Sequence, residues 1–155
     1  MFFLKDLPTR EMIEGLAGRF AGADADAMLD ELRLLRRASL RLRLVENYLT
    51  AQGLSQTQFL VLTVILREPD RDSLTSVEIA ERLDVSRPVL SKTLATMERK
   101  GLIARQPHGQ DKRCVLIAPT EAGTQTYLAL LPGYCDALLA PLPDDGASKD
   151  PTATG

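Results

Sequence analysis

The apolar spacing of the chain changes period at Gly101, and that switch constrains the fold more than any other feature. In "VSRPVLSKTLATMERK", residues 85–100, Leu90, Leu94 and Met97 fall on one side of a helix. Beyond the glycine, "LIARQP" and "RCVLIA" are β-prone runs separated by "HGQDK", so residues 102–118 read as a hairpin. Gly101 itself suits the left-handed position that closes a helix. Few folds send a helix straight into a two-stranded ribbon.

The residues just upstream narrow the choice. Thr75 and Glu78 have the spacing of a capping box, which satisfies amides at a helix start, and they open the short helix "SVEIAERL". A turn over Asp84 to Ser86 joins it to a helix over residues 87–100, with Pro88 accommodated in the first turn. Ala80 is small where the two helices must cross, and Ile79, Leu83, Val85, Leu90 and Leu94 supply a core to lock them. Two short helices so joined are a helix-turn-helix signal, here over residues 75–100.

The outward face of the second helix collects Pro88, Ser91, Lys92, Ala95, Thr96 and Arg99, with Ser86 and Arg87 at its start. Slender, hydroxylated side chains let a helix sit deep in a major groove, and the cations neutralise phosphates. A helix that only faces water has no need to keep bulk off that face. The ribbon carries Lys112 and Arg113 at its tip, which suits a wing laying a cation into the adjacent minor groove. The plainer alternative is an edge hairpin charged against aggregation. Net charge is −2, but between Arg87 and Arg113 seven basic residues (Arg87, Lys92, Arg99, Lys100, Arg105, Lys112, Arg113) face two acids, Glu98 and Asp111.

The remaining segments read as helical. Thr9 caps a short helix in which Met12, Ile13, Leu16 and Phe20 recur at helical spacing, and Gly22 ends it. A long helix follows from Asp24 or Asp26 to Leu49. Leu32, Leu35 and Leu42 define one side of it and Leu40 and Leu44 another, more apolar girth than one small domain covers, which favours burial against a second subunit. The five arginines from Arg33 to Arg43 keep part of it wet. Gly53 breaks the chain, and Ser55 with Gln58 forms a second capping box before "FLVLTVIL", a buried helix ending near Glu68. Helix resumes at Thr120, is expected to falter at Pro132-Gly133, and continues briefly from Tyr134 to Ala140. The segments sum to an N-terminal helical region (1–52), a winged unit (53–119, wing 102–118), C-terminal helices (120–142) and a flexible tail (143–155).

Composition closes off other classes. At 155 residues, 45% hydrophobic and 26% charged, the chain suits one globular domain with a dimerising extension. No stretch has the roughly 18–20 apolar residues of a membrane span, and "MFFLKDLPTR" lacks the pattern of a signal peptide, so a cytoplasmic protein is expected. Cys114 and Cys135 make neither a zinc site nor a disulfide framework; a redox switch is the functional alternative to two small buried hydrophobes. The single histidine, His108, has no second ligand or triad partner nearby. No cofactor or metal is expected.

From "GLSQTQFLVLTVI" through "TSVEIAERLDVSRPVLSKTLATMERKGLIAR" to "DKRCVLIAPTEAG", the chain resembles the MarR family of bacterial winged-helix repressors over about residues 28–135. Asp111-Lys112-Arg113, followed after six residues by Thr120-Glu121-Ala122-Gly123, is the most specific part. The resemblance implies a mainly α fold with a small β-wing, and a helical dimerisation region drawn from both termini. It implies a homodimer that reads a pseudo-palindromic double-stranded DNA operator. The second helix of the pair would enter the major groove, Arg113 the minor groove, and Asp111 would orient nearby cations or the loop. The family often senses small aromatic or phenolic acids. Three departures stand out: Pro119 replaces a usual leucine, Asp84 stands where many such turns have glycine, and little helix is expected after Gly133. Rival readings are a winged-helix module that binds protein or RNA without operator specificity, and an enzyme fragment using a winged helix to dimerise. The second lacks any Gly-rich nucleotide loop or acid–base cluster.

Overall fold

The computed structural model describes residues 7–17, 24–108 and 111–142. Phe20, Gly22 and the expected flexible tail lie outside the described residues. In chain order the elements are α1 (Arg10–Ala17), α2 (Ala25–Ala51), α3 (Gln56–Leu66), β1 (Leu74–Thr75), α4 (Ser76–Arg82), α5 (Arg87–Arg99), β2 (Ile103–His108), β3 (Asp111–Pro119) and α6 (Glu121–Leu139). The architecture is mainly helical with one small antiparallel sheet of order β1-β3-β2.

The chain divides into two compact units, one of residues up to 44 and from 138 onward, the other from 45 to 137. In the first, Asp24 opens α2: its Oδ1 accepts the amides of Asp26 at 3.0 Å and Ala27 at 3.2 Å. Among the arginines of α2, Arg33 pairs with Asp30 one turn away at 3.0 Å and Arg41 donates to the distant Ala140 carbonyl. Met28, Leu34, Leu35 and Leu42 on α2, and Met12 and Leu16 on α1, stay exposed.

The second unit holds the main core. Helix α3 is apolar around its whole girth, and it is buried accordingly: Phe59, Val61, Leu62, Val64 and Ile65 are all inside. Both capping boxes form, Ser55 with Gln58 on α3 and Thr75 with Glu78 on α4. Helices α4 and α5 pack on α3, and Ile79, Leu90, Leu94 and Met97 meet Leu74, Ile103 and Ile117 of the sheet in one cluster. Phe59 joins α6 to this core, its ring centroid 4.5 Å from that of Tyr134 and 5.1 Å from that of Tyr127.

Two details depart from the sequence reading. Helix α6 does not falter at Pro132-Gly133 but runs through both residues to Leu139. The proline removes one amide, yet the neighbouring glycine makes room for Tyr48, whose ring would lie 2.5 Å from a Cβ there and whose hydroxyl donates to the Leu130 carbonyl at 3.1 Å. Tertiary packing outweighs the local breaker signal. A two-residue strand, β1, pairs Leu74 with Ile117 and Thr75 with Leu116, so the hairpin becomes a three-stranded sheet. Pro119, which stands where the resembled family usually has leucine, is accommodated at the end of β3 opposite Ile103.

Candidate nucleic-acid interface

Helix α5 is shaped by one buried side and one open side. Leu90, Leu94 and Met97 are 3%, 2% and 0% exposed, while Ser86, Arg87, Pro88, Ser91, Lys92, Ala95 and Arg99 are exposed. Thr96 is half-buried: its hydroxyl donates to the Lys92 carbonyl at 3.0 Å and accepts from Arg99 Nη2 at 3.2 Å. That bond aligns the Arg99 guanidinium along the helix. The side chains of Arg87, Ser91 and Lys92 have no hydrogen-bond or ion-pair partner among the described residues. Ser86 stands at the N-cap with extended backbone but makes no side-chain cap bond, which leaves its hydroxyl and the first amides of α5 open to an external anion.

Of the five cations from Arg87 to Arg105 whose side chains are described, two reach beyond their own helix or strand. Arg105 on β2 pairs with Glu98 on α5 at 3.0 Å, tying the ribbon to the helix. Lys100 donates to the Gly53 carbonyl at 2.8 Å. Arg87, Lys92 and Arg99 are left on the open face. The backbone of β3 places Lys112 and Arg113 next to Asp111, the partner of His108 where the hairpin register shifts. The side chains of His108, Asp111, Lys112, Arg113 and Cys114 lie outside the described residues.

The helix start opposite is held electrostatically. Glu78 Oε2 accepts the Thr75 amide at 2.8 Å, and its Oε1 accepts Arg71 Nη1 at 2.7 Å. The backbone amide first, and Arg71 second, hold this carboxyl well below its usual range, at about 2. Arg71 and Arg82 also reach Glu68, at 3.6 and 3.0 Å, so four charges fasten α4 to the end of α3. Sequence spacing shows the capping box but not the Arg71 and Arg82 pairings, which depend on the turn of the intervening loop.

Between α4 and α5 lies an open groove of about 530 Å³, with Ala80, Leu90 and Leu94 on its floor and Arg87, Ser91 and Arg105 at its rim. Arg105 is a residue that the sequence reading leaves without a role. Cys135 is exposed on α6. Among the described residues no cluster of His, Cys, Asp and Glu could hold a metal ion, and no single helix is long and apolar enough to cross a membrane.

Residues 52–113 match the sequence profile of the MarR family. The transcriptional repressor YetL of Bacillus subtilis is 28% identical over 137 residues, covering 88% of this chain and 81% of the relative. Transcriptional repressor MprA of Escherichia coli is 28% identical over 129 residues, covering 81% and 70%. A cysteine-to-serine variant of MarR from Escherichia coli, solved in complex with operator DNA, superposes with a TM-score of 0.62 at 26% identity, covering 79% of this chain and 90% of the other. These proteins are transcription regulators, and the enzyme-fragment reading has no counterpart among them. With its capped helix pair and three-stranded winged sheet, and with the family match over residues 52–113, the chain is similar to the MarR-family winged-helix transcriptional regulators.

Proposed function

We propose that the chain acts as a homodimer that binds a pseudo-palindromic DNA operator sequence-specifically and represses transcription until a small ligand releases it. The observation that carries this reading is the open face of α5, where unpaired Arg87, Ser91 and Lys92 surround the small Ala95 while Leu90, Leu94 and Met97 hold the helix from behind. In the proposed complex Ser86, Arg87 and Pro88 meet the backbone at the groove edge. Ser91, Lys92, Thr96 and Arg99 line the major groove. Lys112 and Arg113, supported by Asp111, approach the minor groove. The MarR variant named above was solved with operator DNA, which supports the same docking here. Two copies would set their α5 helices about 34 Å apart, one turn of duplex.

The dimer reading is supported by the exposed apolar side chains of α2, together with Leu138 at 41% and Leu139 at 79% exposed. Repression is favoured by the names of YetL and MprA, although a further relative, BadR of Rhodopseudomonas palustris, is named an activator. For the effector, the groove between α4 and α5 has the volume of a small-ligand site, and Arg87 at its rim suits a small aromatic or phenolic acid.

The test is selection of genomic fragments by the purified protein, read by sequencing. Enrichment of fragments sharing a pseudo-palindrome is expected. Recovery without a shared sequence favours the non-specific interaction module instead. Arg113→Ala is expected to weaken binding to the selected duplex in an anisotropy titration, and unchanged affinity refutes the wing assignment.

A further inference from the structure

We infer that Lys100 is a positioning residue for the DNA-reading helix: it clamps the C-terminal end of α5 to the turn between α2 and α3 instead of contacting DNA. The inference rests on the DNA-binding reading above. Lys100 Nζ donates to the Gly53 carbonyl at 2.8 Å and lies 3.4 Å from Gln58 Oε1. Gln58 is 6% exposed, and the same oxygen accepts the Ser55 amide at 3.2 Å within the α3 capping box. The ammonium therefore grips a backbone carbonyl and a fixed side chain, neither of which swings freely.

Both ends of this clamp are stiff turns. Gly53, at φ 79°, closes α2 with the bonds Gly53 N to Thr50 O at 2.9 Å and Leu54 N to Leu49 O at 3.0 Å. Gly101, at φ 69°, closes α5 in the same way, with Gly101 N to Glu98 O at 2.9 Å and Leu102 N to Met97 O at 3.0 Å. A cation at the C-terminal end of a helix also complements the helix dipole. From the other side, Thr120 Oγ1 donates to the Gly101 carbonyl at 2.6 Å and the Thr120 amide to the Leu102 carbonyl at 3.0 Å. The end of α5 is thus held by one group 47 residues upstream and another 19 residues downstream.

Among the described residues the start of α5 has no comparable side-chain anchor, since Ser86 makes no cap bond. A helix of 13 residues is about 20 Å long, so a loosened C-terminal end tilts the reading face as a lever. Base-edge contacts depend on that alignment, whereas phosphate attraction tolerates displacement and carries no sequence information. Loss of the clamp therefore lowers discrimination more than it lowers general affinity.

The experiment compares wild type, Lys100→Met and Lys100→Arg by anisotropy on the selected duplex and on a shuffled duplex of equal length, over a range of salt and below each variant's melting transition. Lys100→Met, which keeps the apolar stem, is expected to lose about 5–10-fold on the selected duplex, the scale of one exposed charged hydrogen bond. The shuffled duplex and the slope of log affinity against log salt should stay near wild type. Lys100→Arg, still able to donate to the Gly53 carbonyl, should recover most of the loss. A slope reduced by about 0.9 identifies Lys100 as a phosphate contact and overturns the inference. So does an equal loss on both duplexes, or no loss on either. A wild type that does not discriminate the two duplexes overturns the DNA-binding reading, and this inference with it. A discriminating wild type with an equally discriminating Lys100→Met overturns this inference alone.

Discussion

Gly123→Ala adds one methyl group to the first turn of α6 and places it against the backbone that leaves the reading helix. The new Cβ would lie 1.9 Å from the Leu102 carbonyl oxygen and 2.9 Å from the carbonyl carbon. Carbon–oxygen contacts settle at about 3.3 Å, so the two segments must part by roughly 1.4 Å. Backbone has no rotamer with which to yield. The same carbonyl accepts the Thr120 amide at 3.0 Å, and that bond is lost in the shift. Overpacking costs about 1–3 kcal/mol and the hydrogen bond about 0.5–1.5 kcal/mol, while exchanging glycine for alanine inside a helix returns about 1 kcal/mol. The net destabilisation is about 2 kcal/mol, which moves a urea midpoint down by about 1 M for a chain of this size. Gly15→Ala is the control, because nothing lies within 4 Å of a Cβ at that position of α1, and it should leave the midpoint unchanged or slightly raised. A Gly123→Ala midpoint equal to that of wild type refutes the packing argument.

Glu78→Gln keeps an acceptor for the Thr75 amide but removes the ion pair with Arg71, at an expected cost of about 0.5–1 kcal/mol at neutral pH. Because the folded-state carboxyl titrates at about 2, below the 4.5 of a free carboxyl, its contribution is complete above pH 4.5 and disappears as pH falls toward 2. The stability gap between wild type and variant should close over that interval, and a gap independent of pH contradicts the assignment. Leu94→Ala removes a buried side chain packed between α4, α5 and the sheet, beneath the groove, and calorimetry should show a loss of about 2–5 kcal/mol; a loss below about 1 kcal/mol means the helix pair is not locked there. Arg99→Ala should weaken operator binding and lower the salt slope by about 0.9 if the guanidinium meets a phosphate, whereas an unchanged slope assigns it elsewhere.

Much of this fold is written locally. The pairs Ser55–Gln58 and Thr75–Glu78 are three residues apart, so their bonds form within one turn and need no tertiary partner to be recognised. Gly101 and the hairpin behind it are legible for the same reason. What escaped the sequence depends on distant partners. Strand β1 has two residues and exists because β3 is long enough to pair on both edges. The helix persists through Pro132-Gly133 because Tyr48, far upstream, fills the notch. At the candidate interface, spacing separates the buried Leu90, Leu94 and Met97 from the open face, but it does not distinguish Lys100 and Arg105, which serve the fold, from Arg87, Lys92 and Arg99. All five are cations on one helix and its flanking strand; only three-dimensional partners divide them.

Whether the open face of α5 reads base sequence is decided by competitive anisotropy. A labelled duplex from the fragment selection is challenged with its unlabelled self and with a shuffled duplex, at near-physiological salt. The expected result is at least about a thousandfold preference for the selected sequence, two chains per duplex, and affinity falling steeply as salt rises. Equal competition by both duplexes would contradict the account.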